Sequence, residues 1–238
     1  MSLLSICQSV AGVTPDSIPA SIVGNTDETA SLLLYLAKRE GQALARKNWT
    51  ILQKEYTFQT VASQRDYALP DDYSRLINQT LWDRTNFWEM RGPLTPQEWQ
   101  IRRSSVLSNT VSSRKRFRIR NISNSKQFSI DPVPDAADDL VYEYIMDTWC
   151  QSSGGTPQTT WLADTDTSFI DEYLIELGVQ WRYLNRRGMA YMEEKDEYER
   201  EVSQAFSRDG GAPTLQLAGG REYYFIGTGN VPDTGFGP

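Results

Sequence analysis

Histidine is absent from the sequence. That removes the commonest general base, the usual catalytic triads and most transition-metal sites, so an enzyme built on this chain would work with carboxylates, Lys or Tyr. Cysteine is nearly absent too. Cys7 and Cys150 lie far apart in the sequence with no partner at metal-ligand spacing, which argues against a disulfide framework or a zinc site and fits a reducing compartment. No stretch approaches the ~18 consecutive apolar residues of a membrane span, and the opening "MSLLSICQSVAG" has no basic n-region, so neither a membrane helix nor a secretory signal is expected. Excess positive charge is also lacking. The 24 basic and 31 acidic residues sum to −7, which argues against wholesale binding to nucleic acid or anionic membrane. Internal repeats, heptads and nucleotide-binding motifs are missing, and "GTGNVPDTG" has the spacing of neither a dinucleotide loop nor a Walker A loop. No cofactor and no metal are expected.

What is present is enough for a real core. A chain of 238 residues with 39% apolar content supports one large domain or two small ones. Leu3, Leu4, Ile6 and Val10 fall near helical spacing before Gly12 and Pro15 stop the segment. Asn25 and Glu28 read as a capping box opening a helix over 26–46, with Ala30, Leu33, Leu34, Ala37, Gly41 and Leu44 on one face. From Trp49 the texture turns β-branched and aromatic, so strands are expected through "KEYTFQT", "RKRFRIRNI", "KQFSIDP" and "LVYEYIMDTW". One short helix interrupts them, with Thr95 as N-cap, Pro96 at the first position and Glu98 at the third. After the loop "CQSSGGTPQTTW", Thr167 or Ser168 is expected to cap a last helical stretch. Ile170, Tyr173, Leu174, Leu177, Trp181 and Leu184 keep the i, i+3, i+4, i+7 rhythm there, Met192, Tyr198, Val202 and Phe206 extend it, and a kink or break is expected at Gly188.

The expected fold class is therefore α+β. N-terminal helices (1–48) and C-terminal helices (166–208) form one helical bundle, a β-rich subdomain (49–165) is inserted between them, and an extended tail (209–238) follows.

Charge is unevenly placed. Residues 99–130 hold eight basic residues and no acidic one. In "RKRFRIR" the alternation puts Arg114, Arg116, Arg118 and Arg120 on one face and Phe117 and Ile119 on the other, as a half-buried strand requires. Such a face either contacts DNA phosphates or an acidic neighbouring subunit, or is a solvated face that discourages edge aggregation. The acidic excess of the whole chain favours an acidic protein partner over DNA. Asp131, Asp135, Asp138 and Asp139 lack the glycine and terminal Glu of a Ca²⁺ loop and sit beside Pro132 and Pro134, so they read as a solvated turn. The tryptophans, Trp161 and Trp181 among them, read as core or interface anchors, and "MEEKDEYERE" reads as a solvated acidic helix face that can also meet a neighbour's basic strand.

In pattern and order, "SIVGNTDETASLLLYLAKREGQALARKNW", "FQTVASQRDYALPDDYSRLINQTLWDRT", "RGPLTPQEWQ" and "DEYLIELGVQWRYLNRRG" resemble the head-to-tail adaptors of tailed bacteriophages, the tail tubular protein A-like or head-completion proteins. The similarity runs from about Leu3 to Phe206. It implies a structural virion protein with no enzymatic activity: a homo-oligomeric ring, generally dodecameric, beneath the portal protein in the neck between capsid and tail, assembled in the host cytoplasm. Such a ring extends the channel through which genomic DNA passes without sequence-specific contact, and it offers a platform to the tail or nozzle protein. No membrane is involved. The full β region places the chain nearer the podovirus tubular type.

Two other functions compete. A carboxylate-based, lysozyme-like hydrolase needs paired acids flanking a cleft, for which Glu143 in "VYEYIM" is a candidate. A nucleic-acid-binding module would use the basic strand 114–120. The last twenty residues, "GGREYYFIGTGNVPDTGFGP", hold six glycines and four aromatics, too flexible for a helix and too apolar for a solvated tail. Leu215, Leu217, Tyr223, Tyr224, Phe225, Ile226 and Phe236 are expected to dock on the portal or an adjacent subunit, with a strand folded back on the chain's own β region as the alternative.

Overall fold

The computed structural model describes residues 1–14, 17–104 and 114–211. Helix α1 (Leu3–Gly12) is capped by the Ser2 hydroxyl and buries Leu3, Ile6, Cys7, Val10 and Ala11. Its first N–H groups find acceptors far along the chain, with Leu3 donating to the Asp166 carbonyl and Leu4 to the Asp164 carbonyl. Helix α2 (Glu28–Leu44) starts two residues later than expected. Its cap is Asp27, which accepts from the Ala30 N–H, while Asn25 accepts from the Asp27 N–H and so shapes the approach.

After a short 3₁₀ turn (Thr50–Leu52), the chain enters β1 (Gln53–Gln59), β2 (Asp66–Ala68), β3 (Tyr73–Leu76), β4 (Trp82–Asp83) and β5 (Trp88–Glu89). Helix α3 (Pro96–Arg103) has the expected capping box, Thr95 with Glu98. Strands β6 (Arg116–Ile122), β7 (Ser125–Asp131) and β8 (Asp139–Met146) follow, then β9 (Cys150–Gln151), β10 (Pro157–Gln158) and β11 (Thr167–Ser168). All pairings among them are antiparallel. A five-stranded sheet runs β1-β8-β4-β5 with β3 also on β8, a three-stranded sheet runs β2-β7-β6, and a smaller one runs β10-β9-β11. Thr167 and Ser168 are thus strand residues paired with β9, and the cap of α4 (Glu172–Arg187) falls to Asp171, whose side chain accepts from the Tyr173 N–H.

Gly188, in the left-handed region at φ 71°, ends α4, and α5 (Met192–Asp209) starts anew, so the expected break is real. Helix α4 packs on α1, α2 and α5. The α2 stripe differs from the one expected, because Glu40 is fully buried in it while Leu34 is only half-buried. Glu40 accepts from Arg182 Nε at 2.6 Å and from the Tyr198 hydroxyl, which joins α2, α4 and α5 through one carboxylate. A Cβ on Gly178 would lie 2.3 Å from the Glu40 carboxyl carbon, so a glycine makes the room.

One hydrophobic cluster runs from the helices into the sheets. Trp149 is the hinge of that continuity. Its ring lies where a Cβ on Gly41 would approach to 2.1 Å, its Nε1 donates to the Thr159 carbonyl at 2.7 Å, and its ring meets Trp161 edge-on at 5.0 Å. Trp161 is fully buried core, as expected of these anchors. On the sheet side, Phe58, Phe117, Phe128, Tyr67 and Tyr142 stack as an aromatic layer between the two larger sheets, with Phe117–Phe128 at 5.1 Å and Phe128–Tyr142 at 5.7 Å.

Candidate interaction surface

Strand alternation sorts β6 into two faces. Phe117 and Ile119 point into the aromatic layer with Phe128 and Ile130 of β7, while Arg116, Arg118 and Arg120 stand on the outer face opposite Asp131, Ser129 and Gln127. Strand β2 adds Asp66 to this face, opposite Ser129. Helix α3 leans on one end, with Trp99 buried and the Arg120 guanidinium 5.6 Å from the centre of its ring. Alongside runs the segment before α3, where the Phe117 N–H donates to the Arg91 carbonyl and a Cβ on Gly92 would lie 2.5 Å from the Phe117 carbonyl oxygen.

The four arginines expected to act together have different surroundings. Arg120 is held inside the protomer: its Nη2 bonds Asp66 at 2.9 Å and its Nε donates to Ser129 Oγ at 2.7 Å. Its charge is therefore spent on stability of the sheet. Burial pushes the Asp66 carboxyl up, and the hydrogen bonds from Ser129 and Arg120 reverse this, leaving it below the ordinary carboxylate range. Arg114 is exposed, and its carbonyl accepts from Arg102 Nη2. Arg116 and Arg118 are half-buried, and among the described residues no hydrogen bond or ion pair joins either guanidinium to a carboxylate. Burial and then the like charges of Arg102, Arg91 and Arg114 lower Arg116, with the Glu98 carboxylate opposing them.

Two of these cations come from outside the run that the sequence singles out. Arg91 reaches the patch because its backbone bridges to Arg116. Arg65 reaches it from the turn before β2, where burial and Arg103 lower it against Asp131 and Asp66. Their arrival on the face depends on strand pairing, which local spacing does not reveal.

The acidic turn is corrected by the structure. Asp131 is fully buried and paired with Arg102 Nε at 2.7 Å and Arg65 at 3.5 Å. Asp138 is 5% exposed and bonded to Lys115 and Asn86, and Asp83 joins the same cluster through Lys115 at 3.2 Å. Two of the four carboxylates are thus buried ion-pair partners that fasten the chain around β6, because the basic residues Lys115 and Arg102 fold back over them.

The hydrolase candidate Glu143 lies half-buried on β8 directly opposite Glu55, whose carboxylate is bonded to Arg84. A cleft of 260 Å³ between α2 and the sheet carries a single carboxylate, Asp147, among its lining residues. Burial and the neighbouring Asp72 raise Asp147, whereas Lys54 and Tyr144 hold Asp72 low against its own burial. Asp72 is bonded to both of those groups and lies outside that lining, so the two-carboxylate geometry of a glycosidase is not assembled there.

A second charged surface lies on the helices. Tyr173 is 45% exposed on α4, and after a burial effect the carboxylates Glu197, Glu201 and Glu176 all raise its phenol. Glu193, Asp196 and Glu199 are exposed on α5 beside them, with Lys195 bonded to Glu199 at 3.4 Å and Arg200 to Glu201 at 3.6 Å. Among the described residues, no helix is long and apolar enough to cross a membrane. The docking residues Leu215, Leu217, Tyr223, Tyr224, Phe225, Ile226 and Phe236 lie outside the described residues.

The profile of the SU10 adaptor protein family matches residues 1–225. The chain belongs to this family. It is a family of phage head-to-tail adaptors, so the adaptor resemblance read from the sequence holds, and the protein is a structural component of the virion. Adaptors of this kind interact with other phage structural proteins such as portal and tail. A comparison with individually curated proteins gave no match.

Proposed function

We propose that this adaptor assembles as a ring beneath the portal in the neck of the virion, extends the DNA channel and presents a platform to the tail, with no chemistry of its own. The observation that carries this reading is the face of β6. Arg116 is crowded by the like charges of Arg102, Arg91 and Arg114, and among the described residues no hydrogen bond or ion pair joins the Arg116 or Arg118 guanidinium to a carboxylate, although the whole chain is acidic at −7. A partner surface relieves that repulsion, and a ring supplies one to every copy, because heterologous contacts join two different patches of one chain. The ring is proposed as a dodecamer after the phage-adaptor resemblance. DNA passes through it without sequence-specific contact, consistent with the net negative charge.

The tail over 212–238 is proposed as the portal-docking element. Its alternation of glycines with Tyr223, Tyr224, Phe225 and Phe236 fits an extended segment that lays aromatic side chains into pockets on another chain. The experiment is a mass measurement in solution, by sedimentation or native mass spectrometry, on the full chain and on a 212–238 deletion, each with and without purified portal. The full chain is expected to add to portal as a ring and the deletion to remain folded yet fail to add. A full chain that never associates with portal contradicts the adaptor ring, and a deletion that binds portal normally contradicts the role given to the tail.

A further inference from the structure

We propose that the arginine face of β6 in one copy seats the acidic α4–α5 face of the next copy. This inference rests on the ring assembly proposed above and names the surfaces that close it. Arg116 and Arg118 stand on the outer face of β6, and among the described residues no hydrogen bond or ion pair joins either guanidinium to a carboxylate. On the helices, Glu193, Asp196 and Glu199 are exposed on α5 and Glu176, Glu197 and Glu201 gather around the exposed Tyr173, with Lys195 and Arg200 paired among them. A contact between copies sets these two oppositely charged faces against each other.

Three features favour a second copy of the chain over other anions. The complementary patches occur once each on every copy, which matches the one-to-one demand of a ring. The acidic patch also holds an exposed aromatic side chain, Tyr173 (45% exposed), among its carboxylates. Protein interfaces use such anchors, whereas a phosphate backbone offers them nothing. Finally, the charges select the geometry. A two-fold pairing of the sheet faces would set arginine against arginine, and one of the helix faces would set carboxylate against carboxylate, so head-to-tail contact is the arrangement that neutralises both.

The test is a pair of charge reversals in the full-length chain, assembled at low and at physiological salt with and without portal. One variant carries Arg116→Glu with Arg118→Glu, and the other carries Glu197→Lys with Glu201→Lys. Each alone should associate roughly tenfold or more weakly than wild type, since it faces like charge at every contact. Mixed in equal amounts, the two should recover assembly, because alternating copies are complementary at every junction. Recovery also shows that both variants fold. A chain carrying Arg118→Cys with Glu197→Cys gives a second reading, since mild oxidation should produce a ladder of covalent multimers while Cys7 and Cys150 stay buried.

Assembly of either reversed variant at wild-type strength overturns the inference, as does failure of the mixture to recover or a cysteine variant that remains monomeric on oxidation. Loss with the arginine variant alone assigns that face to another partner, tail protein or DNA, and likewise overturns it. A wild-type chain that is monomeric under all these conditions contradicts the ring itself, whereas a normal wild-type ring with unaffected variants contradicts only the choice of surfaces.

Discussion

Replacing Glu40 by alanine is expected to destabilise the fold by about 3 kcal/mol. The Glu40 side chain is fully buried, and its two oxygens accept from Arg182 Nε at 2.6 Å and from the Tyr198 hydroxyl. A hydrogen bond to a charged group contributes about 1.5–3 kcal/mol, and a neutral one about 1. Arg182 retains 17% side-chain exposure and its guanidinium lies 4.4 Å from the Trp181 ring, so it is partly rehydrated once Glu40 is gone. That keeps the loss at the lower end of the 3–5 kcal/mol typical of breaking a fully buried pair, with the truncation leaving a small cavity beside Gly178. For a chain of this size a loss of about 3 kcal/mol corresponds to roughly 6–12 °C in Tm. The assay is urea unfolding alongside calorimetry on the full chain. Glu40→Gln, which keeps the volume and one of the two accepting oxygens, should lose about half as much. Gly178→Ala should behave like Glu40→Ala, since the added methyl displaces the same carboxylate. Stability of Glu40→Ala within ~0.5 kcal/mol of wild type would mean that the three helices are held by apolar packing alone, and would refute this account of the bundle.

Three further outcomes follow from the same geometry. The Asp66 carboxyl is held below its unfolded value of about 3.9, so its contribution is present above that pH and lost as pH falls through the lower folded value; Asp66→Asn should therefore flatten the acid limb of the stability curve below about pH 4, and an unchanged limb contradicts the pairing with Arg120 and Ser129. Burial pushes the Cys7 and Cys150 thiols up to about 12, so a thiol reagent at neutral pH should modify neither in the native protein and both in denaturant; rapid native labelling refutes the packing around α1 and β9. Gly41→Ala gains helix propensity of about 1 kcal/mol but drives a methyl to 2.1 Å from the Trp149 ring, so a net loss of roughly 2 kcal/mol with altered near-ultraviolet tryptophan signals is expected, and a stabilised variant contradicts the close approach of α2 to Trp149.

The parts of the fold that were legible in the sequence are those set by local chemistry. Thr95, Pro96 and Glu98 encode the start of α3 within four residues, Gly188 encodes the break between α4 and α5, and the alternation around Phe117 and Ile119 encodes the two faces of β6. One miss is local, since Asp27 takes the Ala30 N–H and displaces Asn25 as cap. The others share one cause, a partner elsewhere along the chain: Thr167 and Ser168 are drawn into pairing with β9, which moves the next cap to Asp171. Glu40 in "AKREGQAL" looks like a solvated charge until Arg182 and Tyr198 arrive 142 and 158 positions later. The arginine face was likewise half legible. Its alternation is local, but Arg120 is neutralised by Asp66 from 54 positions away, and Arg91 and Arg65 join through strand pairing.

A cryo-EM reconstruction of the virion neck decides between a ring and any other arrangement. A closed ring of this chain in contact with the portal is expected, with β6 of each copy within ion-pair distance of the α4–α5 face of its neighbour. A neck in which this chain forms no ring against the portal would contradict that assembly.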